Sequence, residues 1–230
     1  MQYHNLSRQI LKIGRRLSES AHVIGTGGNI SARVRSNPEI FLITPSGLPY
    51  ETLRISDMVT CHVDGHVVDG SRVPSIEFKM HAMIYKARQD VFAIIHTHSL
   101  YSTALAIAGR RLPALTAGMA VIAPEIGVAE YAMPGTEALA VNVVRALGAN
   151  SAVLLANHGL VVVADNLQKA FSFCEQVERG AQLYILSHIV GTPTSLTPGQ
   201  CRELKKHLSK IYGQKRRGSD GQKGKDPGSR

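Results

Sequence analysis

Val91-Phe92-Ala93-Ile94-Ile95-His96-Thr97-His98 is an apolar run of strand length that ends in two histidines. Its composition reads as a buried strand over 91–97. Side chains on a strand alternate, so residues two apart share a face, and His96 and His98 can hold one divalent metal between them. A lone His-x-His also arises by chance on solvated edges, so the pair needs support from elsewhere in the chain.

Two further segments supply it. Ala152-Val153-Leu154-Leu155-Ala156 is a second apolar run, and Asn157-His158-Gly159 follows it, placing a third histidine where a buried strand leaves the core. Three neutral imidazoles with an open fourth position make a catalytic rather than a structural zinc site. Upstream, Pro74-Ser75-Ile76-Glu77 marks a helix start, with Ser75 as the expected N-cap and the Glu77 carboxylate in the first turn. Alone, Glu77 would merely complement the helix dipole. The histidines give it a second reading, as a group beside a metal.

The 230 residues are 44% hydrophobic, enough for one large domain with a substantial core. No apolar run approaches the roughly 20 residues of a membrane span, and Met1-Gln2-Tyr3-His4 lacks a secretory signal pattern, so a soluble, cytoplasmic protein is expected. Cys61, Cys174 and Cys201 are odd in number and widely spaced, which suggests neither a disulfide framework nor a Cys-x-x-Cys knuckle.

The formal charge of +9 invites a nucleic-acid reading that its distribution opposes. From Gly213 to Arg230 six basic residues stand against two aspartates, which places +4 in a Gly- and Ser-rich tail and leaves +5 on the other 212 residues. No aromatic residue interleaves these charges to stack bases, so 213–230 reads as a disordered, solvated tail without a specific nucleic-acid partner.

Outward from the first strand, the chain alternates. An amphipathic helix is predicted over 6–21, with Ile10, Leu11, Ile13 and Leu17 on one face. Strands follow at 30–34 and 41–44, then a hairpin whose arms, 58–63 and 66–68, flank Asp64-Gly65. Helices are expected near 76–86, 99–108, 136–147 and 167–188, and strands near 118–123, 152–156 and 160–164. Asp64-Gly65 and His158-Gly159 look like tight reversals. The fold class is therefore α/β, a single-domain α/β/α sandwich around a largely antiparallel sheet. Thr26-Gly27-Gly28-Asn29 and Thr44-Pro45-Ser46-Gly47 offer hydroxyls and open backbone N–H groups. They can be anion nests or ordinary turns, and neither is a nucleotide-binding motif.

Thr26-Gly27-Gly28-Asn29-Ile30-Ser31, Thr44-Pro45-Ser46-Gly47, Pro74-Ser75-Ile76-Glu77, His96-Thr97-His98-Ser99 and Asn157-His158-Gly159-Leu160, in this order and spacing, resemble the class II aldolase/adducin family. The match runs from about residue 6 to 212, taken as one domain over 1–212, and lies nearest the L-fuculose-1-phosphate aldolase pattern. The resemblance implies a homotetramer with active sites between subunits and one zinc per subunit, with manganese or cobalt as alternatives. It makes His96, His98 and His158 the metal ligands and Glu77 the acid/base, which also ligates the metal when substrate is absent. Gly28, Asn29, Thr44, Gly47 and Ser75 match positions that cradle a substrate phosphate, and Tyr212 matches a tyrosine closing over the aldehyde part.

The implied reaction is cleavage of a ketose 1-phosphate, such as L-fuculose 1-phosphate, to dihydroxyacetone phosphate and an aldehyde through an enediolate. Two positions depart from the pattern: Ile76 replaces a second serine beside the glutamate, and the aldehyde-side tyrosine falls near Ala117. Related 4-epimerases carry aspartate where Glu77 stands, which favours an aldolase. Decarboxylases and a dehydratase share the metal site. An adducin-like binding module, the non-enzymatic alternative, would have lost metal ligands that are all present here.

Overall fold

The computed structural model describes residues 3–211, so Tyr212 and the tail over 213–230 lie outside the described residues. Within the apolar run 91–98, Ala93–Thr97 forms β5, and all five of its residues are buried. Antiparallel neighbours flank it, β1 (Asn29–Arg33) on one side and β10 (Gly159–Ala164) on the other. Beyond β1 come β2 (Ile40–Ile43), β3 (Val59–His62) and β4 (Val67–Asp69). Beyond β10 come β9 (Ala152–Leu155) and β8 (Val128–Ala129). Only the β8–β9 pairing is parallel, so the eight-stranded sheet is largely antiparallel, as expected. The β3–β4 hairpin turns at Asp64-Gly65, where Gly65 takes φ +89°.

Alternation along the strands builds two cores. Ile94, Val161, Val163 and Phe41 pack on one face beneath α2 (Phe78–Ala87) and α5 (Glu137–Leu147). Ala93, Ile95, Leu160 and Val162 face α1 (His4–Glu19), α3 (Leu100–Ile107) and α6 (Leu167–Val190). The result is the three-layer α/β/α arrangement. Each fully buried Ile or Leu contributes roughly 1.5–3 kcal/mol through area removed from water.

Two expectations need correction. Residues 118–123 are not a strand: 118–122 belong to a helix, α4 (Ala117–Ile122), and Ala123 is its C-cap. Thr116 caps it by accepting a hydrogen bond from Met119 N, and Met119, Ala120 and Ile122 bury one side, so tertiary packing overrides the β-branched pair Val121-Ile122. Gly180 of α6 leaves the space that the Met119 side chain fills. The start of α2 also differs. Ser75 is not its cap: Glu77 is, because Ser75-Ile76-Glu77 forms a turn in which Phe78 N donates to Ser75 O, 3.0 Å. A last helix, α7 (Pro198–Ile211), and a small ribbon of β6 (Leu112–Pro113) with β7 (Glu125–Ile126) were not anticipated. Among the described residues no helix is long and apolar enough to cross a membrane.

Candidate active site

The start of β1, the end of β5 and the start of β10 meet at one end of the sheet. Asn29 and Val161 stand opposite His96 in register on either side. His96 shares the face of Ile94 and so points toward α2, while His98 follows the end of the strand. His158 sits in the β9–β10 turn, which Asn157 makes by adopting φ +55°, a conformation asparagine tolerates better than most residues. Two glycines let the flanking strands close in. A Cβ at Gly159 would lie 2.3 Å from Thr97 O, and one at Gly28, φ +69°, 2.4 Å from His96 O.

The three imidazoles converge. Their ring centroids are 4.7, 4.8 and 5.1 Å apart with planes inclined by 51–72°, and one nitrogen of each lies within 4.8 Å of the others. His96 Nδ1 donates to Leu160 O at 3.0 Å, which fixes the tautomer and leaves the Nε2 lone pair facing His98 Nε2, 3.0 Å away. Two nitrogens sharing a tetrahedral ion at about 2.05 Å stand about 3.3 Å apart, so this spacing suits a metal.

Glu77 closes the group from the α2 side. Its Oε2 accepts from Asn29 Nδ2 at 2.8 Å and lies 3.2 Å from His96 Nε2, and its Oε1 lies 3.5 Å from His158 Nε2. These contacts are not ion pairs. Burial, and next the neighbouring His98, hold His96 neutral with a pKa of about 3; burial, then His96, hold His158 near 4; burial also lowers His98. Glu77 is 4% exposed, and among the described residues its Oε1 and His158 Nδ1 are buried without a hydrogen-bond partner. A buried anion among neutral lone pairs is costly unless a cation joins it. The donor set therefore fits a divalent metal.

Behind the histidines, Ser31 Oγ bonds His81 Nδ1 at 2.6 Å and Tyr85 OH at 2.8 Å, tying β1 to α2 below Asn29 and Glu77. Burial pushes His81 to about 3. The sequence reading missed this seam, although its signal was present: Asn29 and Ser31 at strand spacing face Glu77, His81 and Tyr85 at helix spacing.

Of the expected phosphate residues, Asn29, Thr44 and Ser75 come together. Ile30 N donates to Thr44 Oγ1 at 3.2 Å, and Ser75 N donates to Thr44 O at 3.1 Å. Gly28 lies on His96, and Gly47, φ +70°, turns an exposed loop beside Thr44. Ile76 is 60% exposed next to Glu77, and Ala117 is exposed at the first residue of α4. Tyr212 lies outside the described residues. A cavity of about 540 Å³ lies at the opposite end of the sheet, lined by Tyr3, Arg35, Phe92 and Asp165 among others, and shares no residue with this constellation.

Comparison with known proteins gives the same family throughout. The family model described as Class II Aldolase and Adducin N-terminal domain matches residues 8–185. A 5-deoxy-D-ribulose 1-phosphate aldolase of Bacillus thuringiensis is 37% identical over 206 residues, 90% of this chain and 96% of the relative. An L-fuculose phosphate aldolase of Escherichia coli is 33% identical over 214 residues, 93% of this chain and 98% of the relative. A solved L-fuculose 1-phosphate aldolase superposes with a TM-score of 0.86 at 39% identity, covering 89% of this chain and 96% of that one.

Proposed function

The chain belongs to the class II aldolase and adducin family, and from that membership we propose that it is a zinc-dependent aldolase cleaving a ketose 1-phosphate to dihydroxyacetone phosphate and an aldehyde. The observation that carries this reading is the buried Glu77 carboxylate, bonded by Asn29 and facing His96 and His158. Named relatives that act on 5-deoxy-D-ribulose 1-phosphate and L-fuculose phosphate support the substrate class.

His96, His98 and His158 would hold the ion, with Glu77 as a further ligand before substrate arrives; zinc is the metal proposed, and manganese or cobalt are the alternatives. When bound, the ion supplies a Lewis acid that draws charge from the substrate carbonyl and stabilises the negative charge developing on the three-carbon half. Glu77 handles the proton. With Ala117 standing where the family resemblance expects tyrosine, Glu77 serves both ends of the proton's path. It takes the proton from the C4 hydroxyl as the C3–C4 bond breaks into the aldehyde carbonyl, and returns it to C3 of the three-carbon product. Asn29 holds the carboxylate in place for both transfers.

Gly28, Asn29, Thr44, Gly47 and Ser75 form the phosphate cradle of this reading, and Tyr212 closes over the aldehyde part. The domain is assigned to 1–212 and the basic tail to 213–230. A homotetramer with active sites between subunits is part of the proposal from the family resemblance, and contact there would cover the exposed side chains of Ile24, Ile76 and Leu100. A cytoplasmic location completes the proposal.

The test is a panel of ketose 1-phosphates and β-keto acids incubated with zinc-loaded protein, with dihydroxyacetone phosphate and carbon dioxide measured separately. Release of dihydroxyacetone phosphate with one equivalent of aldehyde is expected. Carbon dioxide from a β-keto acid without triose phosphate would make the protein a decarboxylase instead.

A further inference from the structure

His96 is aimed by a hydrogen bond from its second ring nitrogen, but among the described residues the only hydrogen bond of the His98 ring is the Nε2 contact to His96, and its other ring neighbour is the candidate ligand His158. With no hydrogen bond from its second nitrogen, its placement depends on the backbone that carries it. That backbone is gripped on both sides. Before and after His98, Thr97 Oγ1 and Ser99 Oγ bond each other at 2.8 Å, and Ser99 Oγ bonds His22 Nδ1 at 3.1 Å. The His22 ring is itself fixed edge-on against Phe171 of α6. Thr97 and Ser99 are fully buried and His22 is nearly so.

This use of Ser99 has a consequence for α3. Ser99 is its N-cap residue, yet its hydroxyl makes no capping bond, because it is committed to His22 and Thr97. The free amides of a helix start need acceptors. Glu178 of α6 supplies them: its Oε1 accepts from Tyr101 N at 2.8 Å, and its Oε2 from Ser102 N at 2.9 Å and Ser102 Oγ at 2.7 Å. A carboxylate over the positive end of a helix adds favourable charge to these bonds.

We infer that Glu178, with the His22–Ser99–Thr97 chain, is a positioning device that locks the His98-bearing turn so that its imidazole presents Nε2 to the metal. The inference rests on the metal-centre reading. Glu178 touches neither metal nor substrate, and its contribution is geometric. Partners outside the ligand set typically alter metal affinity 10- to 100-fold.

The experiment is a titration of metal-free protein with zinc against a chromophoric chelator. Glu178→Gln keeps the side-chain volume but leaves one oxygen for three donors, and Ser99→Ala removes the hub between His22 and Thr97. Both are expected to weaken zinc binding by roughly 10- to 100-fold. Asn166→Ala provides the comparison, because it removes a helix cap, Asn166 Oδ1 to Lys169 N at 2.9 Å, at the far end of the sheet. It should lower thermal stability while leaving zinc affinity as in the wild type. Wild-type affinity in both Glu178→Gln and Ser99→Ala would overturn the inference alone, as would an equal loss in all three variants. A wild-type chain that takes up no ion would overturn the metal-centre reading and this inference with it.

Discussion

Glu77→Gln separates holding a metal from moving a proton. The amide oxygen can keep the 2.8 Å contact with Asn29 Nδ2, and the amide nitrogen then takes the Oε1 position, 3.5 Å from His158 Nε2. Side-chain volume is unchanged at a site that is 4% exposed, so no cavity opens and the fold is kept. Three histidines remain to hold the ion. What disappears is the group that accepts and returns the proton, and a positioned acid/base contributes roughly 100- to 10,000-fold, or about 2.7–5.4 kcal/mol of barrier. Turnover, followed as release of dihydroxyacetone phosphate in a coupled assay, should fall by at least about 100-fold. Metal content by elemental analysis should stay near one ion per chain. His98→Ala should behave differently, losing metal and activity together. Near-normal turnover in Glu77→Gln with its metal intact would reduce Glu77 to the residue that starts α2.

Acid should destabilise the metal-free chain. His81, His96 and His158 are held near 3, 3 and 4 in the fold against 6.5 unfolded, so between about 6.5 and 4 the unfolded chain binds protons that the folded chain does not. Stability should therefore be full above 6.5 and fall on acidification by roughly 1.4 kcal/mol per pH unit per histidine, read as the urea midpoint at pH 7 and 5.5. An unchanged midpoint would place these rings in water. Gly159→Ala pushes a Cβ to 2.3 Å from Thr97 O, a backbone atom that cannot yield, and should cost upwards of about 1–3 kcal/mol and impair metal uptake; wild-type melting would refute the close approach. Truncation after Gly213 should leave melting temperature and oligomer mass unchanged, because few apolar residues follow, and a large drop in either would give the tail a packing role.

Much of this was legible in the chain because strands and their ends write themselves as short patterns. The runs closing at His96 and before His158, and the Asp64-Gly65 reversal, fixed three turns of one sheet and with them the histidine cluster. The reading failed where packing outvotes local preference. Residues 118–123 read as a strand, with Val121-Ile122 β-branched, but Gly180 of α6 makes room for Met119 and the helix Ala117–Ile122 fills the space. Glu178 was invisible for another reason. Its partners at 101 and 102 lie 77 and 76 residues away, and no spacing rule links a mid-helix glutamate to a distant helix start. The Ser31–His81–Tyr85 seam lies between these cases, readable only once β1 and α2 are known to face each other.

Metal-assisted proton transfer by Glu77 at the carbon that becomes C3 of dihydroxyacetone phosphate can be tested without knowing the aldehyde. Dihydroxyacetone phosphate is incubated with zinc-loaded protein in deuterium oxide, and its hydroxymethyl hydrogens are followed by proton NMR. One of the two hydrogens should exchange with solvent, exchange should stop when a chelator removes the metal, and Glu77→Gln should slow it by at least about 100-fold. Retention of both hydrogens by the zinc-loaded wild-type protein would contradict that proton transfer.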